Sequence, residues 1–222
     1  MPATISPALF RFLKELAAHN DREWFSANKE RYLSDVRDPL LAFVGSVAPR
    51  LCAVSPHVVA DARPAGGTLL RIYRDTRFSR NKKPYKTNAA LYFRHDAGKD
   101  IHAPGYYLHL EPGQVFMGAG MWHPDADALR AVRETIVADP RGWKAARRVG
   151  LSHGDESLKR PPRGFDAEHP LIEDLKRTSF TTGVEYSERL ACASDFATRF
   201  VADCRRQAPL MKFLAGALNL AF

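Results

Sequence analysis

Thr87-Asn-Ala-Ala-Leu-Tyr-Phe-Arg94, Tyr106-Tyr-Leu-His-Leu-Glu111 and Val115-Phe-Met-Gly-Ala-Gly-Met121 are three short runs of aromatic and aliphatic residues, divided by Gly, Pro and Asp. Runs of this length between turn residues predict β-strands. Strands that follow one another through turns pair antiparallel rather than through βαβ crossovers. Residues 69–74, Leu-Leu-Arg-Ile-Tyr-Arg, predict a further strand, with Arg71 and Tyr73 on one face and Leu70, Ile72 and Arg74 on the other. Residues 179–186 predict the last. The fold class is therefore α+β, an antiparallel sheet of about four to six strands packed by N-terminal and C-terminal helices.

The flanks supply those helices. Ser6 before Pro7 suits a helix start, and Leu9, Phe12, Leu13 and Leu16 recur at helical spacing. Asn20 with Glu23 forms a capping-box pattern for a second helix. That helix carries Trp24, Asn28 and Tyr32 on one face, then Val36, Leu40, Phe43, Val44, Val47 and Leu51. Pro39 within it predicts a kink or two abutting helices. Beyond the sheet, residues 125–137, 140–149, 187–207 and 210–220 predict helices, and 172–176 a helical turn. The 222 residues show no internal repeat and no long linker. They predict one domain: a helical arm at about 6–54, a sheet core at about 68–122 and a mixed part at about 123–222.

Hydrophobic residues at 45% and charged residues at 26% are ordinary for a chain with a packed core. Cys52, Cys192 and Cys204 are few, far apart and odd in number, which predicts buried reduced thiols and a cytoplasmic setting. The most apolar windows, 40–54 and 209–222, are interrupted and shorter than the roughly 20 residues of a membrane span. No membrane partner is expected. His95, His102, His109 and His123, with Glu111, lack any recognised ligand spacing, so neither a metal nor a cofactor is expected. His109 and Glu111, two apart on a strand, share a sheet face. No P-loop, dinucleotide fingerprint or nucleophile elbow is present. Nothing in the chain decides whether it is an enzyme.

Residues 71–86 stand apart. Arg71, Arg74, Arg77, Arg80, Lys82, Lys83 and Lys86 face a single acid, Asp75, so this segment carries six of the eight net positive charges of the chain. With Pro84 and no regular period it predicts a loop held between strands. Arginine offers a planar fork of donors suited to phosphate or carboxylate, and crowded cations repel unless an anion offsets them. Arg71, Arg74, Arg77, Ser79, Lys83, Tyr85 and Lys86 are the expected anion-binding residues. Asp75, Asn28 and Trp122 support them: Asp75 pairs with an arginine, Asn28 reaches a neighbouring loop, and Trp122 either stacks on the ligand or lies at the core or rim. The expected function is binding of an anionic, phosphate- or carboxylate-bearing small molecule. The alternatives are nucleic-acid binding, which a pI near 9.6 favours, and docking of an acidic partner protein. A structural ion-pair network is the competing account of the same charges.

Arg71-Ile-Tyr-Arg-Asp-Thr-Arg-Phe-Ser-Arg-Asn-Lys-Lys-Pro-Tyr-Lys86 resembles the signature of an uncharacterised conserved-hypothetical family of bacteria and fungi, domain of unknown function 2461. Glu23-Trp24-Phe25 with Asn28-Lys29, Gly118-Ala-Gly-Met-Trp122 before Pro124, and Pro162-Arg163-Gly164-Phe165 with His169-Pro170 and Leu175-Lys176 fit it in order. The resemblance implies a shared fold and carries no established activity. Where the family pattern has Ser-basic-Asp-Lys-Thr, this chain has Ser79-Arg80-Asn81-Lys82-Lys83. Asn81 cannot titrate, so no general acid or base is expected there.

Overall fold

Ser6 caps the first helix, α1 (Pro7–Ala18): its hydroxyl accepts the Ala8 N–H at 3.2 Å, and Pro7 occupies the first turn where its missing N–H costs nothing. A computed structural model describes residues 4–77, 79–98, 104–152 and 157–222. Leu9, Phe12, Leu13 and Leu16 of α1 are fully buried, as their spacing predicts. The second predicted helix is four pieces: α2 (Arg22–Ala27), α3 (Lys29–Tyr32), a π turn at Leu33–Arg37 and α4 (Asp38–Cys52). Pro39 cannot donate within a continuous ladder, and the chain absorbs this one turn earlier, where the Asp38 N–H reaches the Leu33 carbonyl five residues back.

The sheet has four antiparallel strands in chain order, β1 (Ala89–Arg94), β2 (Gly105–Glu111), β3 (Gln114–Met121) and β4 (Phe180–Tyr186). Pro112 and Gly113 (φ 82°) close the β2–β3 hairpin, the residue order of a type II turn. Residues 69–74 do not complete the predicted strand. Leu69 bridges Leu91 and Tyr73 bridges Tyr85, with Leu70 N–H donating to the Ala90 carbonyl and Lys86 N–H to that of Ile72. Between those two pairings, residues 87–89 lie opposite Arg71 alone. The surplus residues bulge out and break the ladder.

Inward-facing Leu91, Phe93, Tyr106, Leu108, Leu110, Val115 and Met117 pack with α1 and α4. Residues of the opposite sheet face, such as Tyr92, Tyr107, His109 and Phe116, are half-buried. Between β3 and β4 come α5 (Ala126–Ala138), α6 (Pro140–Ala146) and α7 (Ile172–Leu175), and β4 is followed by α8 (Glu188–Ala191) and α9 (Phe196–Ala217). The predicted break before Leu210 is absent. The chain is interrupted instead between α8 and α9, and α9 runs through the exposed Pro209, whose lost hydrogen bond falls on the side facing water. Phe200 and Cys204 of α9 join the first core, while Leu210 and Leu214 join a second with Met121, Val132, Ile136, Trp143 and Phe180. One helix thus ties both cores together. Among the described residues no helix is long and apolar enough to cross a membrane. Cys52 is exposed, against expectation, because it closes the last turn of α4, with Leu51 taking the buried position beside it; Cys192 is half-buried, Cys204 is buried, and all three are free.

The second core holds a polar hub. Asp174, 6% exposed, accepts from the Trp143 indole N–H at 2.9 Å and from the Arg147 guanidinium at 2.6 Å. Asp174→Ala strands the buried Trp143 N–H and removes the Arg147 pair, so it should cost about 2–3 kcal/mol in urea unfolding. Glu173→Ala, which removes only the exposed pair with Lys176, should cost less than about 1 kcal/mol.

Candidate functional site

Two hydrogen bonds fix the basic loop. The Tyr85 N–H donates to Asn20 Oδ1, and Asn20 Nδ2 donates to the Tyr85 carbonyl, each at 3.0 Å. Asn20 is available because Asp21, not Asn20, caps α2: its carboxylate accepts the Trp24 N–H at 2.8 Å. Behind this clamp the Tyr85 ring stacks on Phe25 (centroids 4.1 Å apart, 19° between planes) and meets Tyr73 at 5.4 Å. Burial raises the Tyr85 hydroxyl pKa, with Tyr73 adding to it. Asn28 does not reach the loop. Its side chain donates to the Trp24 carbonyl one turn back and accepts from Arg31, which is itself paired with Glu15.

Within the loop, short side chains hold the backbone. Asp75 accepts the Arg77 N–H, Ser79 the Asn81 N–H, and Asn81 the Lys83 N–H, each two residues on. Asp75 also pairs with the Arg77 guanidinium at 2.7 Å, which holds its carboxyl down at about 2. Lys82 donates to the Thr76 carbonyl. Among the described residues no carboxylate lies within ion-pair reach of Arg74, Arg80, Lys83 or Lys86. Burial lowers the Lys86 pKa, and the neighbouring Arg71 lowers it further.

Arg74, Lys83, Tyr85 and Lys86 line one cleft of ≈280 Å³, with Asn20, Asn81, Thr87 and Asn88 completing its wall. Arg71, Arg77 and Ser79 do not line it, and Trp122 lines a different groove. Thr87 and Asn88 were not legible as site residues. They arrive there through the bulge, which no local pattern announces. Asn20 carried a visible signal, but one that pointed to capping.

Residues 8–213 match the conserved hypothetical protein family DUF2461. The chain belongs to that family. No curated protein and no solved structure matches it. Asn81, in the cleft wall, holds the local turn and adds no negative charge there.

Beside the cleft runs a polar chain on the outer sheet face. Thr87 donates to Glu111 Oε1 at 2.6 Å, and Glu111 Oε2 lies 3.2 Å from His109 Nε2. A carboxylate only accepts, so Nε2 carries the proton and Nδ1 accepts from the Tyr107 hydroxyl (3.2 Å), with Asn88 Nδ2 at 3.4 Å. Burial and then Glu111 raise the Tyr107 pKa, which keeps that hydroxyl protonated.

One cluster has the composition of a metal site: His57, His95 and Asp96, with donor atoms within 4.8 Å of one another. It fits a metal poorly. His95 Nε2 lies 2.7 Å from the Ala221 carbonyl, so it is protonated, and Nδ1 accepts the Ala97 N–H at 3.1 Å. No lone pair is left on His95, and the cluster fastens the C-terminus to β1. Glu111 and His109 belong to the polar chain, the His123 backbone N–H donates to Ser179, and His102 lies outside the described residues.

Asn20→Leu removes both hydrogen bonds to Tyr85 at similar side-chain volume. The variant should lose about 1–3 kcal/mol and exchange the Tyr85 amide hydrogen much faster, as measured by NMR. An unchanged exchange rate would show that the loop is held by other contacts.

Proposed function

We propose that the cleft binds the anionic group of a small molecule, phosphate or carboxylate, inside the cell, where three free cysteines are at home. The observation that carries this reading is the set of cations left without carboxylates: Arg74, Lys83 and Lys86 converge on one cleft, and Lys86 is partly desolvated beside Arg71. A structural ion-pair network would match these cations to acids, and among the described residues of the segment only Arg77, through Asp75, is so matched by an ion pair. Holding unmatched cations together costs free energy that a bound anion offsets. Asn20, Thr87 and Asn88 add neutral hydrogen-bonding groups around the same space.

Tyr73 supports a second reading. It is 52% exposed within the basic segment, an aromatic surface that suits stacking of an unpaired base. Nucleic acid should then bind with a steep salt dependence, through release of several counterions, whereas one small anion in a cleft is less sensitive.

The test is calorimetric binding of inorganic pyrophosphate. Arg74→Ala and Lys86→Ala should each weaken it about tenfold or more without unfolding the protein, and Arg77→Ala should leave it nearly unchanged. Unfolding of the Arg74 and Lys86 variants would assign those residues to the scaffold instead.

A further inference from the structure

A cleft of ≈280 Å³ is small: it holds an anionic group, but ligand pockets commonly occupy about 300–1,000 Å³. The rest of a ligand needs other space, and the outer sheet face supplies it. A groove of ≈450 Å³ opens there over Gly105, Gly118, Gly120 and Gly183, walled by Tyr92, Tyr107, Phe116 and Trp122. Cleft and groove share one partition, the pair His109 and Glu111. Thr87 and Asn88 line the cleft and reach Glu111 and His109. Tyr107 and Phe116 line the groove, and Phe116 stacks on His109 at 4.8 Å and 17°.

The glycines are not equivalent. Gly120, at φ 123°, has the Phe180 carbonyl where a side chain would start, and a Cβ on Gly105 would meet the Tyr92 ring at 2.6 Å. The backbone demands glycine at 120, and a side chain at 105 would have to push the Tyr92 ring aside. Gly118 is different. A Cβ there meets only the Thr182 carbonyl oxygen at 3.7 Å and the Tyr107 Cβ at 4.0 Å, ordinary contacts, and its φ is not left-handed. A side chain would also favour the strand. The Tyr107 ring, which could have covered this cross-strand glycine, runs instead toward His109. The fold has no use for a glycine at 118, whereas an open floor between aromatic walls has.

We infer that the ligand is nucleotide-like: a planar ring lies over Gly118 in the groove, and a phosphate chain enters the basic cleft. This rests on the anion-binding reading of the cleft and names the class of molecule. From Glu111 to Tyr107, four residues along β2, is about 13 Å. That is beyond a single phosphate and within reach of a nucleoside polyphosphate. The partition also fits a linker without charge. Glu111 is a carboxylate with one oxygen toward Thr87 and the other toward His109. It repels phosphate at the edge of the cleft and accepts from sugar hydroxyls.

Binding of ATP, tripolyphosphate, adenosine and a short single-stranded oligonucleotide tests the inference, using wild type, Gly118→Val and Trp122→Ala. Wild type should bind ATP about tenfold or more tighter than tripolyphosphate, with quenching of tryptophan fluorescence. Gly118→Val should abolish that advantage while tripolyphosphate affinity and melting temperature stay put. If the valine variant does not fold, Trp122→Ala at the rim, a residue 58% exposed, should show the same selective loss. Equal affinity for ATP and tripolyphosphate, or an ATP advantage that survives both variants, overturns the groove while the anion cleft stands. Failure of both anions to bind overturns the cleft as well. Tighter binding of the oligonucleotide than of ATP overturns a small-molecule ligand in favour of nucleic acid.

Discussion

The carboxamide of Asn20 gives one N–H and one oxygen lone pair to the backbone of Tyr85. This two-way bond lets a loop dense in positive charge lie against the helical arm instead of spreading into water. Repulsion among Arg71, Arg74, Lys83 and Lys86 favours spreading, and the clamp together with the Phe25–Tyr85–Tyr73 ring stack opposes it. The local turns at Asp75, Ser79 and Asn81 then set which cations turn inward. Without the anchor to α1 and α2 those turns would orient the loop only relative to itself.

The sheet was legible because its signals are local. Alternation in residues 106–111 and the Pro112-Gly113 turn are properties of a few neighbouring residues, and the observed β2–β3 hairpin follows from them. The α1 start at Ser6-Pro7 is of the same kind. Elements decided by long-range contacts were not legible. Residues 69–74 have strand composition but pair only at isolated bridges, since the segment opposite carries surplus residues. Pro209 has the look of a break, yet burial of Leu210 and Leu214 in the second core carries α9 through it.

The candidate site divides along the same line. Residue type announced the cations, and sequence separation hid what positions them. Asn20 lies 65 residues from Tyr85, and Thr87 and Asn88 enter the cleft through a register shift. Charge alone also overstated the cluster. Arg77 carries the same charge as Arg74, but Asp75 two residues earlier holds it outside the cleft. Trp122 and the glycines before it belong to a groove on the sheet face, apart from the residues that line the cleft.

Lys86 reports on the central claim most directly, since it feels both the burial of the cleft and the field of Arg71. Titration of its ammonium by NMR should give a pKa below the ordinary lysine value in the unliganded protein, because the charged form is disfavoured there. Saturating pyrophosphate should raise it, because a bound anion favours that form. An ordinary lysine pKa that pyrophosphate does not move would contradict the account.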